Sequence, residues 1–367
     1  MKNTLKYAQC YDYMLDYIRK NRYKKDDRLP TGKEIADTLG VSRITVQRAL
    51  TELQEAGIIY RIQGSGTFLA KDIDEEPSEG MMIIPMVVSH DGASTRSFEM
   101  IQGAEAFFSE HNGYLTVHNS HNSAEQEVEI VNRLLTDSFR SLLVFPVSDK
   151  ANGAYYYQLI RDGVNLAFLD HAPGGISCNL AKSDNVNGGL LAVEHLISRG
   201  HQRIAAVCPA DMLSHPAFQE RFLGYRFALR QHELEGRKEY AVLCAAREEI
   251  PDAVERLFSS LQPPTAVFAL DDLSAAQTAD EVRRLGYRVP EDVAVIGFGD
   301  EEELCVAQPK ALSSVAQDFF EIGYAAAFLL YHAMRSAKRG ACEYRVPVRV
   351  VARASTNGRA AVPAAVK

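Results

Sequence analysis

The chain has 367 residues, 46% of them hydrophobic and 24% charged, with a formal net charge of −8. This composition excludes disorder along the whole chain, because so much apolar surface forms sizeable cores, and the length predicts two or three domains. No apolar run reaches the ~18 residues of a membrane span, and Met1 to Cys10 lacks the apolar stretch of a secretory signal.

The charge is uneven. Residues 1–71 hold 13 Lys/Arg against 8 Asp/Glu, whereas residues 72–367 hold 27 against 40. A basic head on an acidic body predicts that only the head meets a polyanion. In the head, Tyr7 to Lys20 places Tyr11, Met14, Leu15 and Ile18 at helical spacing. Thr31-Gly32-Lys33-Glu34 is a capping box that opens a second helix, and Gly40 stops it. Ser42 is a good N-cap for a third helix running to about Ala56, with Val46, Ala49, Leu50 and Leu53 as its buried stripe. Ile44 and Arg48 then point away from Val46, with Gln47 to one side. Ile58 to Arg61 and Thr67 to Leu69 flank Gln63-Gly64-Ser65-Gly66, a hairpin signature. Residues 72–80 are acidic, contain Pro77 and Gly80 and lack periodicity, as expected of a linker.

The motifs of the head resemble the GntR-family winged helix. They are Asp27-Arg28-Leu29-Pro30-Thr31, the run Gly40 to Leu50, and Gln63 to Phe68. The resemblance implies DNA contacts from Lys6, Lys33, Ser42, Arg43, Ile44, Thr45, Gln47, Gln63 and Gly64, with the third helix in the major groove and the wing tip at the minor groove. The chemistry agrees with that assignment. Arg43 suits guanine O6/N7 or a phosphate, Gln47 suits adenine, and Ile44 suits a thymine methyl. Lys33 and Gln47 depart from the commoner Arg at their positions, so base preference does not transfer from relatives.

The body alternates apolar strand runs with helical stretches. The strands are Met82–Val88, Tyr114–Val117, Ser141–Val147, Val164–Leu169, Arg203–Cys208, Tyr240–Cys244, Thr265–Leu270 and Val293–Gly297. Near-continuous apolar runs are expected of parallel strands covered on both faces. The order predicts a doubly wound α/β architecture, divided into two lobes around a cleft.

Several body motifs resemble the LacI/GalR-type effector domain, which is similar to periplasmic sugar-binding proteins. They include Asp184 to Gly189, Glu194 to His201, Arg221 to Tyr225, Pro264 to Phe268, Asp271 to Ala275 and Val289 to Asp300. A GntR-type head on such a body resembles the arabinose-responsive repressors of Gram-positive bacteria. The resemblance sets residues 1–71 as the DNA-binding domain, 72–80 as linker, 81–355 as the effector-binding and dimerisation domain, and 356–367 as a tail. It places Arg221 and Asp272 in the cleft on the C-terminal lobe, and Phe98, Asp170, His171 and Gln317 on the N-terminal lobe or its border. Arg and Asp can each bind vicinal hydroxyls, and a ring can cover the apolar face of a sugar. Asp184 is read as a helix cap.

Catalytic signatures are lacking: there is no Gly-x-Ser-x-Gly elbow, no His-Glu-x-x-His helix and no Gly-Lys-Ser/Thr phosphate loop. The six cysteines include no Cys-x-x-Cys pair, so neither a metal knuckle nor a disulfide set is expected. The expectation is therefore a cytoplasmic, homodimeric, non-enzymatic regulator without a cofactor. It acts most simply as a repressor released from a palindromic operator by a mono- or disaccharide. An activator, a sensor of a nucleobase or other metabolite, a solute-binding module and an α/β enzyme stand as alternatives.

Overall fold

The computed structural model describes residues 11, 13–15, 17–18, 20–40, 42–55, 57–62, 66–71, 81–89, 95–234, 240–300, 311–335 and 340–357. Lys6, Gln63, Gly64 and the expected linker lie outside them.

The head packs three helices under a hairpin. The described residues between 11 and 20 are helical (α1), followed by α2 (Gly32–Leu39) and α3 (Arg43–Glu55). Thr31 forms the anticipated capping box with Glu34, and Gly40 ends α2 in the left-handed conformation at φ 63°. Gly tolerates that φ without a Cβ clash. Val46, Ala49, Leu50 and Leu53 are all buried against Met14, Ile18, Ile35 and Leu69. Strands β1 (Ile59–Ile62) and β2 (Gly66–Leu69) pair antiparallel as the wing. Tyr60 braces it by stacking on Phe68 and donating a 2.9 Å hydrogen bond to Asp26.

The body holds two six-stranded sheets. The first lobe contains β3 (Met82–Val88), α4 (Thr95–Glu110), β4 (Gly113–Asn119), α5 (Ala124–Thr136), β5 (Ser141–Phe145), α6 (Gly153–Arg161), β6 (Asn165–Leu169) and β7 (Asn179–Ser183). The second contains α7 (Asn185–Ser198), β8 (Ile204–Pro209), α8 (Ala210–Leu213), α9 (Pro216–Gln231), β9 (Ala241–Cys244), α10 (Ile250–Phe258), β10 (Ala266–Ala269), α11 (Asp272–Arg284), β11 (Ala294–Gly299) and β12 (Ser313–Ala316). The chain then returns to the first lobe for α12 (Phe319–Arg335) and β13 (Glu343–Val346), and ends in the second with β14 (Arg349–Val351). Strand orders are β13-β7-β6-β5-β3-β4 and β14-β12-β11-β10-β8-β9. Every pairing in the body is parallel except β12 with β14. Among the described residues, no helix is long and apolar enough to cross a membrane.

The sequence reading did not anticipate β7, β12, β13, β14 or α12. Asn179–Ser183 and Ser313–Ala316 are short and partly polar, so no apolar run marks them. Helix α12 is buried on most sides, between α4 and the first sheet, and its apolar residues form no single stripe. Asp184 does cap α7, accepting from the Asn187 N–H at 3.2 Å. Thr356, expected in the tail, is fully buried and bonds His195 and Ser313, so the packed body runs one residue beyond the expected boundary.

Helices α7 and α9 meet backbone to backbone. A Cβ on Gly189 would collide with the Arg221 carbonyl, and one on Gly224 with the Val186 carbonyl. This approach sets where α9 presents Arg221. We expect Gly224→Ala to cost about 1–3 kcal/mol through overpacking, read as a lowered thermal unfolding midpoint.

Candidate DNA face and interlobe cleft

On the head, Lys33, Ser42, Arg43 and Gln47 are exposed. Val46, at 1% exposure, anchors the opposite face of α3. Arg43 is the first residue of α3, where the helix dipole and unpaired N–H groups favour a phosphate. Ile44 and Thr45 lie on the same helical turn. Arg43 and Gln47, one turn apart and both exposed, thus offer a guanidinium and an amide at this end of α3, chemistry that a major groove accepts.

The cleft is organised by Arg221, which α9 carries to the junction of the lobes with 7% exposure. Its guanidinium lies 3.8 Å from the Phe298 ring centre and 4.8 Å from that of Phe218. Its Nε donates to Asn185 Oδ1 at 2.9 Å, Nη1 to the Leu270 carbonyl at 2.8 Å, and Nη2 to Gln317 Oε1 at 3.3 Å. Gln317 Nε2 in turn donates to Ser183 Oγ at 2.9 Å. Ser183, Asn185 and Gln317 all sit where the chain crosses between the lobes. One buried cation therefore ties two crossovers together. Burial pushes its pKa down to about 10, against the pull of Asp170 and Asp271, so it stays charged at neutral pH.

Asp170 follows β6 with φ 64°, a left-handed backbone that Asp tolerates better than most residues. Such conformations cluster at ligand sites. Burial acts to raise its carboxyl pKa, but the His171 hydrogen bond and the charges of His171, Arg96 and Arg221 outweigh that and hold it at about 2. His171 Nδ1 lies 3.4 Å from Asp170 Oδ2. The His171 ring meets His215, on the other lobe, edge-on at 5.2 Å. Because the folded Asp170 pKa is depressed below its ordinary value of ~4, its stabilisation is complete above pH ~4 and is lost as pH falls toward 2. Asp170→Asn should therefore flatten the decline in urea stability between pH ~4 and ~2.

Asp272 begins α11 and is 3% exposed. Its Oδ1 accepts from Ser314 Oγ at 2.6 Å, and it packs against Gly297 on β11. Asp271 is committed elsewhere: it caps α11 through the Ser274 N–H and pairs with Arg247 at 2.9 Å. Phe98 stands on α4 with 61% of its surface exposed. The structure thus brings Asp170, His171, Arg221 and Gln317 together, places Asp272 buried against β11 and β12, and leaves the Phe98 ring open to solvent. Sequence reasoning missed Asn185, Ser183, His215, Phe218 and Phe298. Only Asn185 and Phe298 lay within motifs that could have flagged them.

Residues 6–69 match the family described as bacterial regulatory proteins, gntR family, and residues 193–356 match the periplasmic binding protein-like domain. The chain is 29% identical over 338 residues to the arabinose metabolism transcriptional repressor of Geobacillus stearothermophilus, covering 90% of this chain and 91% of that protein. The crystal structure of a LacI family regulator from Enterococcus faecium with bound ribose matches at a TM-score of 0.56 and 25% identity, over 75% of this chain and 98% of that one. The complex of the regulator CelR with cellobiose matches at 0.61 and 21%, over 89% and 100%. Its own hairpin-winged head and paired parallel sheets agree with these matches: the chain carries an N-terminal winged-helix domain of GntR type and a C-terminal periplasmic-binding-protein-like domain.

Proposed function

We propose that this chain is a transcriptional repressor of carbohydrate-utilisation genes, released from its operator by a sugar. The observation that carries the reading is the Arg221 node, where one buried guanidinium joins elements whose relative position a ligand between the lobes would alter. The matches to an arabinose metabolism repressor and to a ribose-bound regulator support the sugar class. Lys33, Ser42, Arg43, Ile44, Thr45 and Gln47, with Lys6, Gln63 and Gly64, form the DNA face. Phe98, Asp170, His171, Arg221, Asp272 and Gln317 form the effector site. The protein works in the cytoplasm as a homodimer on a palindromic operator and turns over no substrate. One small helix-turn-helix reads few bases, and two-fold symmetry matches two half-sites.

Residues 72–80 are read from their composition as the linker, and a nine-residue linker with coil-like statistics would reach ~15–18 Å in root-mean-square terms. The body therefore restricts where the two heads sit without clamping them. Near-complete switching requires the sugar to prefer the released state by ~10⁴-fold, about 5.5 kcal/mol across the dimer. The test is operator retention in a gel shift against a panel of simple sugars. At least one should release the wild-type protein, and Asp272→Ala should leave repression that this sugar no longer relieves. Normal release of the Asp272→Ala protein would remove Asp272 from the site.

A further inference from the structure

The cleft has a second compartment beside the Arg221 node. The loop 171–178, the neighbouring edge of β7 and β13 and the start of α9 border a half-open cavity of about 620 Å³. Asp170, His171, Lys182 and Glu343 line it from the first lobe, and Asn185 and Glu220 from the second. Arg221 does not line it, but Asn185, which accepts the Arg221 Nε–H, does. The compartment therefore adjoins the Arg221 end of the cleft, shares Asp170 and His171 with the site proposed above, and extends it toward the loop 171–178 and α9. Small-molecule sites occupy about 300–1,000 Å³, so this space alone has the size of a whole site.

Its chemistry is selective. Lys182 is largely buried and is shared between Glu220 at 2.7 Å and Glu343 at 3.4 Å. With Asp170, the wall carries three carboxylates and one ammonium, and each is already countered: Asp170 by Arg96 and Arg221, Glu220 by Lys182, and Glu343 by Arg345 and Lys182. Because its ammonium is already paired, the wall favours neutral hydroxyls, to which it offers acceptors, over a phosphate ester or a carboxylate. An independent observation agrees. His171 Nε2 is buried with no hydrogen-bond partner, while its Nδ1 faces Asp170. A buried ring nitrogen without a partner is costly, and a hydroxyl, which both donates and accepts, can satisfy it in either role. Leu180 and Pro216 supply apolar surface for the C–H face of a sugar ring.

We propose that this compartment is a second glycosyl subsite, so that the effector is a neutral disaccharide with one unit at Arg221 and the other between the loop 171–178 and α9. The inference rests on the sugar-effector reading above and narrows it. Lys182 and Glu220 stand on opposite lobes, so the second unit contacts both and adds to the sugar's preference for the released state.

Titration calorimetry on the full chain tests it, with arabinose against arabinobiose, xylose against xylobiose, glucose against cellobiose and galactose against lactose. In at least one pair the disaccharide should bind at least tenfold more tightly than its monosaccharide. Ala217→Phe, which pushes a ring into the cavity wall, should reduce that ratio at least tenfold. Glu220→Gln keeps the shape, guards against a folding defect in the first variant, and should reduce the ratio severalfold. If monosaccharides bind as tightly as disaccharides in every pair, or if both variants leave the ratio unchanged, the second subsite is wrong and the sugar reading stands. If no sugar binds at all, both fall.

Discussion

Arg43→Ala is expected to abolish operator retention while leaving sugar binding to the body unchanged. Arg43 is exposed at the first turn of α3 and contributes nothing to the Val46–Leu53 core stripe, so the head should remain folded. A good bidentate contact to a base contributes about 1–3 kcal/mol of discrimination. Doubled across two half-sites, that is about 2–6 kcal/mol, or roughly 30-fold to 10⁴-fold in affinity. A salt titration separates the two possible roles. Loss of a phosphate contact weakens all sequences together and lowers the salt slope by about one per contact. Loss of a base contact weakens the operator alone. Gln47→Ala, on the same exposed side, should relax base preference with a smaller loss. An Arg43→Ala protein that holds its operator at wild-type affinity would remove α3 as the reading element.

Arg221→Lys should give the opposite phenotype, full operator binding that sugar does not relieve. The lysine keeps the charge and most of the stem, but it cannot reproduce the planar fork. Asn185 Oδ1, the Leu270 carbonyl and Gln317 Oε1 now share one guanidinium, and a single ammonium cannot reach all three in that geometry. Each buried acceptor left unpaired costs about 1–3 kcal/mol, so a lowered unfolding midpoint should accompany the loss of response. Arg221→Ala would be harsher, since it also opens space between the Phe218 and Phe298 rings. The decisive comparison is calorimetric sugar binding beside a gel shift. Wild-type release of the Arg221→Lys protein would mean that the node is purely architectural.

The two variants separate the functions because each function resides in its own packed unit. The head has its own apolar cluster around Leu50 and Leu53. The lobes have theirs, one between the first sheet and α12, others on the two faces of the second sheet. An effect that passes from cleft to operator must therefore travel through the placement of units, which is why a sugar-dependent change in the relative position of the lobes is the proposed switch.

Much of this molecule was legible locally. Thr31 and Glu34 are three residues apart, Gly40 directly follows α2, and Val46 to Leu53 share one face of one helix. Signals of that kind act within a turn or two of chain, where the partners are neighbours before any fold exists. Buried parallel strands such as Ala266–Ala269 likewise declare themselves by apolar runs. The cleft did not. Arg221 meets Asn185, Leu270 and Gln317 across 36, 49 and 96 positions, and Lys182 meets Glu220 across 38. The resemblance pointed to Arg221 and Gln317 but not to the contact between them, because a polar side chain carries no periodic record of what it will face. Those contacts exist only after the chain has closed long loops and crossed between two sheets. Local chemistry settled the elements of the head and the apolar strands of the body, and the packing of lobe on lobe decided the short polar strands, the place of α12 and which charges were buried together in the cleft.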